Sequence, residues 1–227
     1  MRVAVIIPAF NEENAIANVV RDIPSEIEAT ILVCNNGSSD RTAAVAKEAG
    51  ALVLTENRKG YGYACLKGMN YIENHLPNTD VVVFIDGDYS DYPEEMPKLL
   101  NEIEAGFDIV IGSRALGQSE KGSMTIPQRF GNWLSGILIR LIWGVKVTDL
   151  GPFRAMKWKQ LQKLNMQDPT YGWTVEMQIK AIKGKMAYKE IAVNYRQRIG
   201  TSKVSGTVKG AIFAGTKILY TIFKYAF

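Results

Sequence analysis

The first half of the chain contains five short apolar segments that alternate with segments of helical pattern. Each apolar segment has five to seven residues and is rich in valine, isoleucine or leucine, which is typical of strands buried on both faces of a sheet. These segments are 2–8, 30–34, 51–55, 81–85 and 108–112. Because helical segments lie between them, the alternation predicts an α/β fold with a Rossmann-like, mostly parallel sheet and helices on both faces.

The second half of the chain is less regular. Helical patterns cover 128–144, 173–183 and 207–227, and extended patterns cover 150–156 and 187–196. The last helix places lysines near one face and most of its aliphatic and aromatic residues elsewhere, so we predict an amphipathic helix. Such a helix suits the interface of a membrane, and packing on the rest of the chain or on a second copy is the alternative.

The two halves of the chain carry opposite charge. Residues 1–113 contain 8 lysines and arginines and 18 acidic residues, whereas residues 114–227 contain 19 and 5. A basic half of this kind favours an anionic partner, such as a phosphate group, a nucleic acid or a membrane surface. The sequence has no run of 18 or more uncharged apolar residues, which argues against a membrane-spanning helix.

The low cysteine and histidine content excludes two classes of small, cross-linked protein. Two cysteines and one histidine are too few for a disulfide scaffold or a zinc site built from four such ligands. The segment 1–8 has no cleavage site of a secretory signal and is predicted to be a strand. We therefore expect a protein of a reducing compartment, located in the cytoplasm.

Two carboxylates stand directly after the fourth apolar segment. Asp86 and Asp88 flank Gly87 where a buried parallel strand would end, and α/β proteins bind ligands at that edge of the sheet. A divalent cation would relieve the repulsion between the two carboxylates, and Mg²⁺ or Mn²⁺ prefers such oxygen ligands. The pair therefore predicts a metal site that also holds a diphosphate, and a polar turn is the alternative.

Three further loops follow predicted strands at the same edge. The first contains Pro8-Ala9-Phe10-Asn11-Glu12, the second contains Asn36, and the third is the glycine-rich segment around Lys59. The polar groups of the first two are suited to binding a base or a ribose, although each loop alone is more often a helix cap. The third resembles a phosphate loop, but it lacks the third glycine of a dinucleotide fingerprint, and no P-loop pattern is present. These observations exclude a Rossmann dehydrogenase and a P-loop nucleotidase.

Eight segments, spread over almost the whole chain, follow one another in a recognisable order. They are VIIPAFNEE, NNGSSDRT, NRKGYGYA, VVFIDGDYSDYPEEMPKL, DIVIGSR, TDLGPFRAM, YGWTVEMQIKA and GTSKVSG. In that order they resemble the family 2 glycosyltransferases of the GT-A fold, in the branch of dolichyl-phosphate mannose synthases and related bacterial polyprenyl-phosphate glycosyltransferases. The resemblance implies a catalytic domain at 1–205, with a nucleotide-sugar half at 1–113 and an acceptor half at 114–205, followed by the amphipathic helix at 206–227.

The resemblance also implies roles for individual residues at the donor site. The residues it assigns to donor binding are Pro8, Ala9, Phe10, Glu12, Asn36, Lys59, Asp86, Gly87, Asp88 and Lys203. Asp86 and Asp88 would serve the ribose and the metal-bound diphosphate, with Asp88 as the main metal ligand and Lys203 near the diphosphate. Two positions depart from the family pattern. Asn36 stands where the family usually has an aspartate that faces the base, and Ser90 stands where the mannose synthases usually have a glutamine.

Four charged residues of the second half are candidates for the acceptor side. The resemblance implies that Arg114 and Arg129 hold an acceptor phosphate, and arginine suits bidentate phosphate binding, with surface solvation as the alternative. Asp149 and Glu176 are the carboxylates expected nearest to the reacting sugar, and either is a candidate general base for a hydroxyl acceptor. Each is equally a candidate for a buried partner of Arg154 or of a neighbouring lysine.

These expectations combine into one predicted function. The chain is predicted to be an inverting glycosyltransferase, dependent on Mg²⁺ or Mn²⁺, that moves a sugar from a nucleotide-sugar donor to a polyprenyl phosphate. It would act as a peripheral protein on the cytoplasmic face of a membrane, without a nucleic-acid partner. Transfer to a sugar or other hydroxyl is the first alternative, and a catalytically silent, nucleotide-binding membrane-surface module is the second. A sugar-phosphate nucleotidyltransferase is disfavoured, because the loop at 8–11 is not glycine-rich and contains no arginine.

Overall fold

The computed structural model describes residues 1–200 and 208–227. Within this part of the chain, seven strands form one sheet in the order β3-β2-β1-β4-β6-β5-β7. The strands are β1 (Val3–Ala9), β2 (Ala29–Asn35), β3 (Leu52–Thr55), β4 (Val81–Phe84), β5 (Ile109–Ser113), β6 (Arg154–Lys157) and β7 (Tyr188–Ala192). The first four strands are parallel to one another, and β6 runs antiparallel to both of its neighbours. The predicted mostly parallel sheet is therefore confirmed.

Helices cover both faces of this sheet. They are α1 (Ile16–Arg21), α2 (Thr42–Glu48), α3 (Tyr61–His75), α4 (Met96–Glu104), α5 (Ile126–Trp143), α6 (Trp158–Leu164), α7 (Trp173–Lys183) and α8 (Val208–Ala226). One apolar cluster joins the sheet to α1, α2 and α4, and a second joins its other face to α3, α6 and α7. Burying both faces explains why the strands are continuously apolar and do not alternate.

The second half differs from the prediction in one strand and in one additional helix. The predicted strand at 150–156 begins only at Arg154, because the carbonyl oxygens of Leu150 and Gly151 accept hydrogen bonds from the buried Arg154 guanidinium and do not pair with a neighbouring strand. Helix α6 follows this strand directly and was not expected, since its seven residues are too few to show a clear helical period.

Helices α5 and α8 form a third layer. Helix α5 begins with a capping box, in which Thr125 and Gln128 satisfy each other's backbone N–H groups, and ends at Gly144 with a positive φ of 74°. Ile139 of α5 and Ile222 of α8 are fully buried in a small apolar cluster with α7. The predicted C-terminal helix is thus present, and part of its apolar surface packs on α5 and α7.

Much of the outer surface of this third layer is apolar. On α5 the exposed large apolar residues are Ile126, Phe130, Trp133, Ile137, Leu141 and Ile142, and at α8 they are Ile212, Phe213, Tyr220, Phe223 and the last residue, Phe227. In the described part of the chain, no helix combines the length and the hydrophobicity needed to cross a bilayer.

Candidate active site

A cavity of about 520 Å³ opens at the carboxyl ends of β1, β2 and β4. The register of the sheet creates this edge, because Ala9 at the end of β1 lies beside Asn35 at the end of β2. Helices α5 and α8 supply further walls. Nine of the residues predicted to bind the donor line the cavity, namely Pro8, Ala9, Phe10, Glu12, Asn36, Lys59, Asp86, Gly87 and Asp88. The tenth, Lys203, lies outside the described residues.

The two aspartates after β4 lie close to the loop after β1. A Cβ atom on Gly87 would stand 3.2 Å from the carbonyl oxygen of Pro8, so glycine allows the two loops to approach. Asp88 is almost fully buried, and its Oδ1 accepts hydrogen bonds from the backbone N–H of Ser90, at 3.0 Å, and from the Ser90 hydroxyl. Ser90 therefore orients the Asp88 carboxylate.

Asp86 carries an unsatisfied acceptor next to this group. Its Oδ1 is buried and has no hydrogen-bond partner among the described residues. Burial, together with the charge of Asp88, raises the pKa of Asp86 to about 7. Holding both carboxylates ionised therefore costs free energy unless a positive charge is placed beside them.

A third aspartate, not singled out in the sequence, is buried nearby. Asp91 is 1% exposed, and neither of its carboxylate oxygens has a hydrogen-bond partner in the described part of the chain. Burial and then the charge of Asp86 raise the pKa of Asp91 well above its ordinary value. The signal in the sequence was its position, three residues after Asp88 in the same loop.

The oxygen groups of this loop fit a hard divalent cation. Asp86 offers a buried oxygen without a partner, and Asp88 is held in place by Ser90. Across residues 1–200 and 208–227, no cluster of three or more Asp, Glu, His or Cys side chains is arranged to hold a metal. A cation bound by Asp86 and Asp88 would therefore complete its shell with phosphate oxygens and water, as Mg²⁺ commonly does.

Arg198 bridges the carboxylates of Asp88 and Glu12. One of its terminal nitrogens is 3.0 Å from Asp88 Oδ2 and 3.1 Å from Glu12 Oε1. Its Nε is buried without a partner among the described residues. The sequence reading missed this arginine, although it stands only five residues before Lys203. Arg198 places a positive charge where a donor phosphate would meet the two acidic loops.

Asn36 fixes the loop that carries Lys59. Its side-chain oxygen accepts from the backbone N–H of Gly60 at 2.8 Å, and its amide nitrogen donates to the carbonyls of Arg58 and Glu56 at 2.7 and 3.2 Å. An aspartate would lack the two donated hydrogen bonds, so asparagine at this position has a structural reason. Lys59 lies 5.4 Å from the centre of the Phe10 ring, at the same side of the cavity.

The carboxylate of Asp149 is occupied by Arg114. Asp149 is 1% exposed and accepts from the backbone N–H, Nε and a terminal nitrogen of Arg114 at 2.7 to 2.9 Å, and from Asn132 at 2.7 Å. Burial disfavours the charge of Arg114, but the Asp149 carboxylate more than offsets it and raises the pKa of Arg114 well above its ordinary value. Arg114 lines the cavity and Asp149 does not.

The sequence left Asp149 either as a general base or as a buried partner of Arg154, and in the structure its partner is Arg114 and not Arg154. Arg154 is fully buried and donates to the carbonyls of Leu150, Gly151 and Thr174. Asp149, in the segment between α5 and β6, pairs instead with Arg114, which directly follows β5. Asp149 therefore orients a cavity arginine and has no free lone pair directed at a substrate hydroxyl.

Glu176 is also committed to the protein's own groups. It is fully buried, and its oxygens accept from the backbone N–H of Asp168 at 2.7 Å and from the Tyr225 hydroxyl at 2.7 Å, with Lys180 at 2.8 Å. It is not among the cavity residues. The prediction of Glu176 as a base near the sugar does not fit this geometry, and the buried pairing with a lysine is what the structure shows.

Arg129 lies away from the cavity. It is exposed in the first turn of α5, whereas Gln128, Gly131 and Asn132 of the same helix line the cavity. The structure therefore does not bring Arg129 together with Arg114 at the cavity, because Arg129 lies on another face of the helix. The cavity is also lined by Tyr171 and Tyr195, which the sequence did not single out, since isolated tyrosines carry no spacing signal.

Comparison with known proteins agrees with this architecture. The sequence model described as "Glycosyl transferase family 2" matches residues 4–167. An uncharacterized glycosyltransferase of Mycobacterium tuberculosis is 33% identical over 215 residues, which cover 93% of this chain and 94% of that protein. A dolichyl-phosphate hexose transferase of Haloferax volcanii is 32% identical over 212 residues, covering 92% and 89%.

A solved structure shows the same fold. The crystal structure of glucosyl-3-phosphoglycerate synthase from Mycobacterium tuberculosis, in complex with Mn²⁺, UDP and phosphoglyceric acid, superposes with a TM-score of 0.76. The match covers 99% of this chain and 78% of that chain, at 20% identity. At this identity the likeness concerns the fold.

Proposed function

Because the chain belongs to glycosyl transferase family 2 and has the GT-A fold, we propose that it transfers a sugar from a nucleotide sugar to a polyprenyl phosphate, with inversion at the anomeric carbon. The observation that carries the choice of acceptor is the shape of the cavity. One cavity is lined both by Asp86, Asp88 and Arg114 and by residues of α5 and α8, the two helices with the exposed apolar surface.

The acidic loops supply the donor side of this cavity. Asp86 and Asp88 would hold a divalent cation, and Arg198 and Lys59 add positive charge for the diphosphate. The solved neighbour with Mn²⁺ and UDP supports this assignment. When bound, such a cation neutralises the charge that develops on the leaving diphosphate.

The state of the carboxylates favours a phosphate as the nucleophile. A hydroxyl acceptor needs a general base, and Asp149 and Glu176 are both saturated by hydrogen bonds from the protein. A phosphate monoester has its second pKa at about 6 and is largely ionised at neutral pH without a base. Arg114, fixed by Asp149, would hold this phosphate in line with the anomeric carbon.

The apolar surface of α5 and α8 supports a lipid acceptor presented at a membrane. Phe130 and Trp133 are 58% and 60% exposed on α5, and Phe213 and Phe223 are 57% and 47% exposed on α8. Aromatic side chains beside lysines are typical of helices that lie in a membrane interface. We propose a peripheral membrane contact through this surface, on the cytoplasmic side. The homologous dolichyl-phosphate hexose transferase supports the same acceptor class.

Transfer to a hydroxyl group stays the second candidate. Its support is the solved neighbour, which is named as a glucosyl-3-phosphoglycerate synthase and contains phosphoglyceric acid. A small phosphorylated acceptor would also use Arg114, but it would not need the space between α5 and α8. The two candidates therefore differ in how they respond to filling that space.

Replacing Gly131 with leucine is expected to separate the two acceptors. A Cβ at Gly131 meets no atom within 4 Å, so the larger side chain fits the folded protein and takes space from the cavity that Gly131 lines. Transfer to a long-chain polyprenyl phosphate should fall by about tenfold or more, a loss of about 1.4 kcal/mol in the transition state. Binding of the nucleotide sugar should stay within about twofold.

Gly131→Ala is the matched control, since a methyl group occupies little of that space. Steady-state transfer to long-chain and to short-chain prenyl phosphates, measured side by side, checks the prediction. Unchanged transfer to the long chain in Gly131→Leu would show that the prenyl chain does not occupy this space, and efficient transfer to phosphoglycerate by the wild type would favour the small acceptor.

A paired substitution on α5 is expected to weaken membrane binding. Removing residues 207–227 would also remove the buried Ile222 and open the apolar cluster, so exposed side chains give a cleaner test. The change of Phe130 and Trp133 to serine should lower the affinity for vesicles with anionic lipid by about thirtyfold or more, since each half-exposed ring contributes about 1–2 kcal/mol. Sedimentation with vesicles measures this.

Leu116→Ser is the control for the vesicle experiment. Leu116 is 50% exposed and lies in the loop after β5, outside the two helices. Equal binding by all three proteins would contradict the proposed membrane surface.

A further inference from the structure

The turn at 165–172, between α6 and α7, packs against the loop that carries Lys59. The backbone carbonyl of Pro169 accepts a hydrogen bond from Tyr63 N–H at 3.1 Å, at the start of α3. A Cβ atom on Gly60 or on Gly62 would stand only 2.3 Å from the Pro169 oxygen or 1.9 Å from the Asp168 oxygen. The turn and the loop are therefore in tight backbone contact, so neither can shift without the other.

The same turn is held from its other side by α8. Lys217 Nζ lies 2.8 Å from Asp168 Oδ2, and the Asp168 side chain is 9% exposed. The other oxygen, Asp168 Oδ1, accepts from the backbone N–H groups of Thr170 and Gly172 at 2.8 and 3.2 Å. Lys217 therefore anchors the residue that shapes the turn.

The ion pair lies outside the cavity, whereas the loop that it reaches lines the cavity. Lys59, Gly60 and Tyr61 line the cavity, and so does Tyr171 of the turn, whereas Asp168 and Lys217 do not. We infer that the ion pair of Asp168 and Lys217 is a positioning device through which helix α8 sets the conformation of the donor-binding loop at 59–61. The affinity for nucleotide then depends on how α8 is seated, although no residue of the pair touches the nucleotide.

The coupling works in both directions. If a seated α8 improves nucleotide binding by some factor, a bound nucleotide must favour the seated helix by the same factor. The free energy passes through a short, packed route, from Lys217 to Asp168, to the Pro169 carbonyl and to Gly60. This inference rests on the proposed function in one respect, which is that the cavity binds a nucleotide.

The experiment measures nucleotide binding without any acceptor. UDP, GDP and ADP, each with Mn²⁺, are titrated into the full-length wild type by calorimetry, and the tightest of them is used for the variants. In Lys217→Met the dissociation constant should rise about tenfold, within the range of measured couplings between sites. Lys217→Arg keeps the charge beside Asp168 and should restore most of the affinity.

Lys183→Met is the matched control. Lys183 Nζ donates to the backbone carbonyl of Tyr225 at 2.6 Å, so it also holds α8. It does so from the last residue of α7, whereas the turn precedes the first residue of that helix. A general loosening of α8 would weaken nucleotide binding equally in Lys183→Met and Lys217→Met. A route through Asp168 predicts a loss only in Lys217→Met.

Hydrogen exchange of α8 supplies the reciprocal readout. In the wild type, the chosen nucleotide should slow exchange of the backbone amides at 212–226, and in Lys217→Met it should not. Asp168→Asn, which keeps an acceptor for the turn but removes the charge, should behave like Lys217→Met and serves as the second variant if that one fails to fold.

Three results would overturn the inference. They are unchanged nucleotide affinity in folded Lys217→Met, an equal loss in Lys183→Met, and exchange of α8 in the wild type that does not respond to nucleotide. None of these depends on the acceptor, so failure of the polyprenyl-phosphate proposal would be seen separately in transfer assays. If no nucleotide binds the wild type, the donor assignment and this inference both fall.

Discussion

Replacing Asp88 with asparagine is expected to reduce sugar transfer by about 10³-fold while the protein stays folded, the size of loss seen when one electrostatic contact to a transition state is removed. Asparagine keeps an oxygen that accepts from Ser90, so the loop should hold its shape. It removes the negative charge at the end of β4, where Asp86 and Asp88 would hold the cation for the leaving diphosphate. The variant tests that role without opening a cavity.

The measurement is single-turnover transfer with saturating nucleotide sugar and Mn²⁺, together with calorimetric binding of nucleoside diphosphate with and without Mn²⁺. Asp88→Asn should lose the Mn²⁺-dependent part of nucleotide binding as well as transfer. Glu73→Gln, at an exposed position of α3, removes the same charge elsewhere and should behave as the wild type. Full transfer by Asp88→Asn, or by the wild type in excess chelator, would show that the cation assignment is wrong.

The sheet and its ligand-binding edge were predictable because they depend on local patterns. The apolar segments at 2–8, 30–34 and 81–85 read as buried strands, and their polar loops had to meet at one edge once the strands were parallel. That is why Asp86, Asp88 and Asn36 line one cavity, as the sequence suggested.

The second half was less predictable because its contacts depend on long-range packing. Nothing local indicates that Asp149 should pair with Arg114, 35 positions away, and not with Arg154. Glu176 was a candidate base because it is a carboxylate. Its hydrogen-bond partners come from the preceding turn and from Tyr225 of α8, 49 positions away, and the sequence gives no indication of either. The side on which Arg129 lies was also not predictable, because one position along a helix changes the face by about 100° and the exact packing of α5 sets which face meets the cavity.

Replacing Arg114 with methionine is expected to destabilise the folded protein strongly. The Arg114 side chain is 9% exposed and that of Asp149 is fully buried, so the change leaves a buried carboxylate without its cation. Removing one partner of such a pair typically costs about 3–5 kcal/mol of unfolding free energy. For a chain of this length that corresponds to a fall in Tm of roughly 6–20 °C, which thermal unfolding followed by circular dichroism measures.

The double variant Arg114→Met, Asp149→Asn separates stability from function. Asparagine carries no charge that needs a partner, and it keeps an acceptor for the backbone N–H of residue 114, so most of the lost stability should return. Transfer should not return, because Arg114 lines the cavity and Asp149 does not. The KM for polyprenyl phosphate should stay raised by about tenfold or more, in line with the loss of a charge-assisted hydrogen bond of about 1.5–3 kcal/mol.

The double variant has two informative outcomes once its Tm recovers. If the double variant regains both its Tm and its transfer activity, Arg114 serves the fold alone, and the acceptor phosphate must be held by other cations of the cavity, of which Arg198 and Lys59 are the candidates. If it regains Tm but not transfer, the buried pair has one function in each direction: Asp149 holds the arginine, and the arginine holds the acceptor.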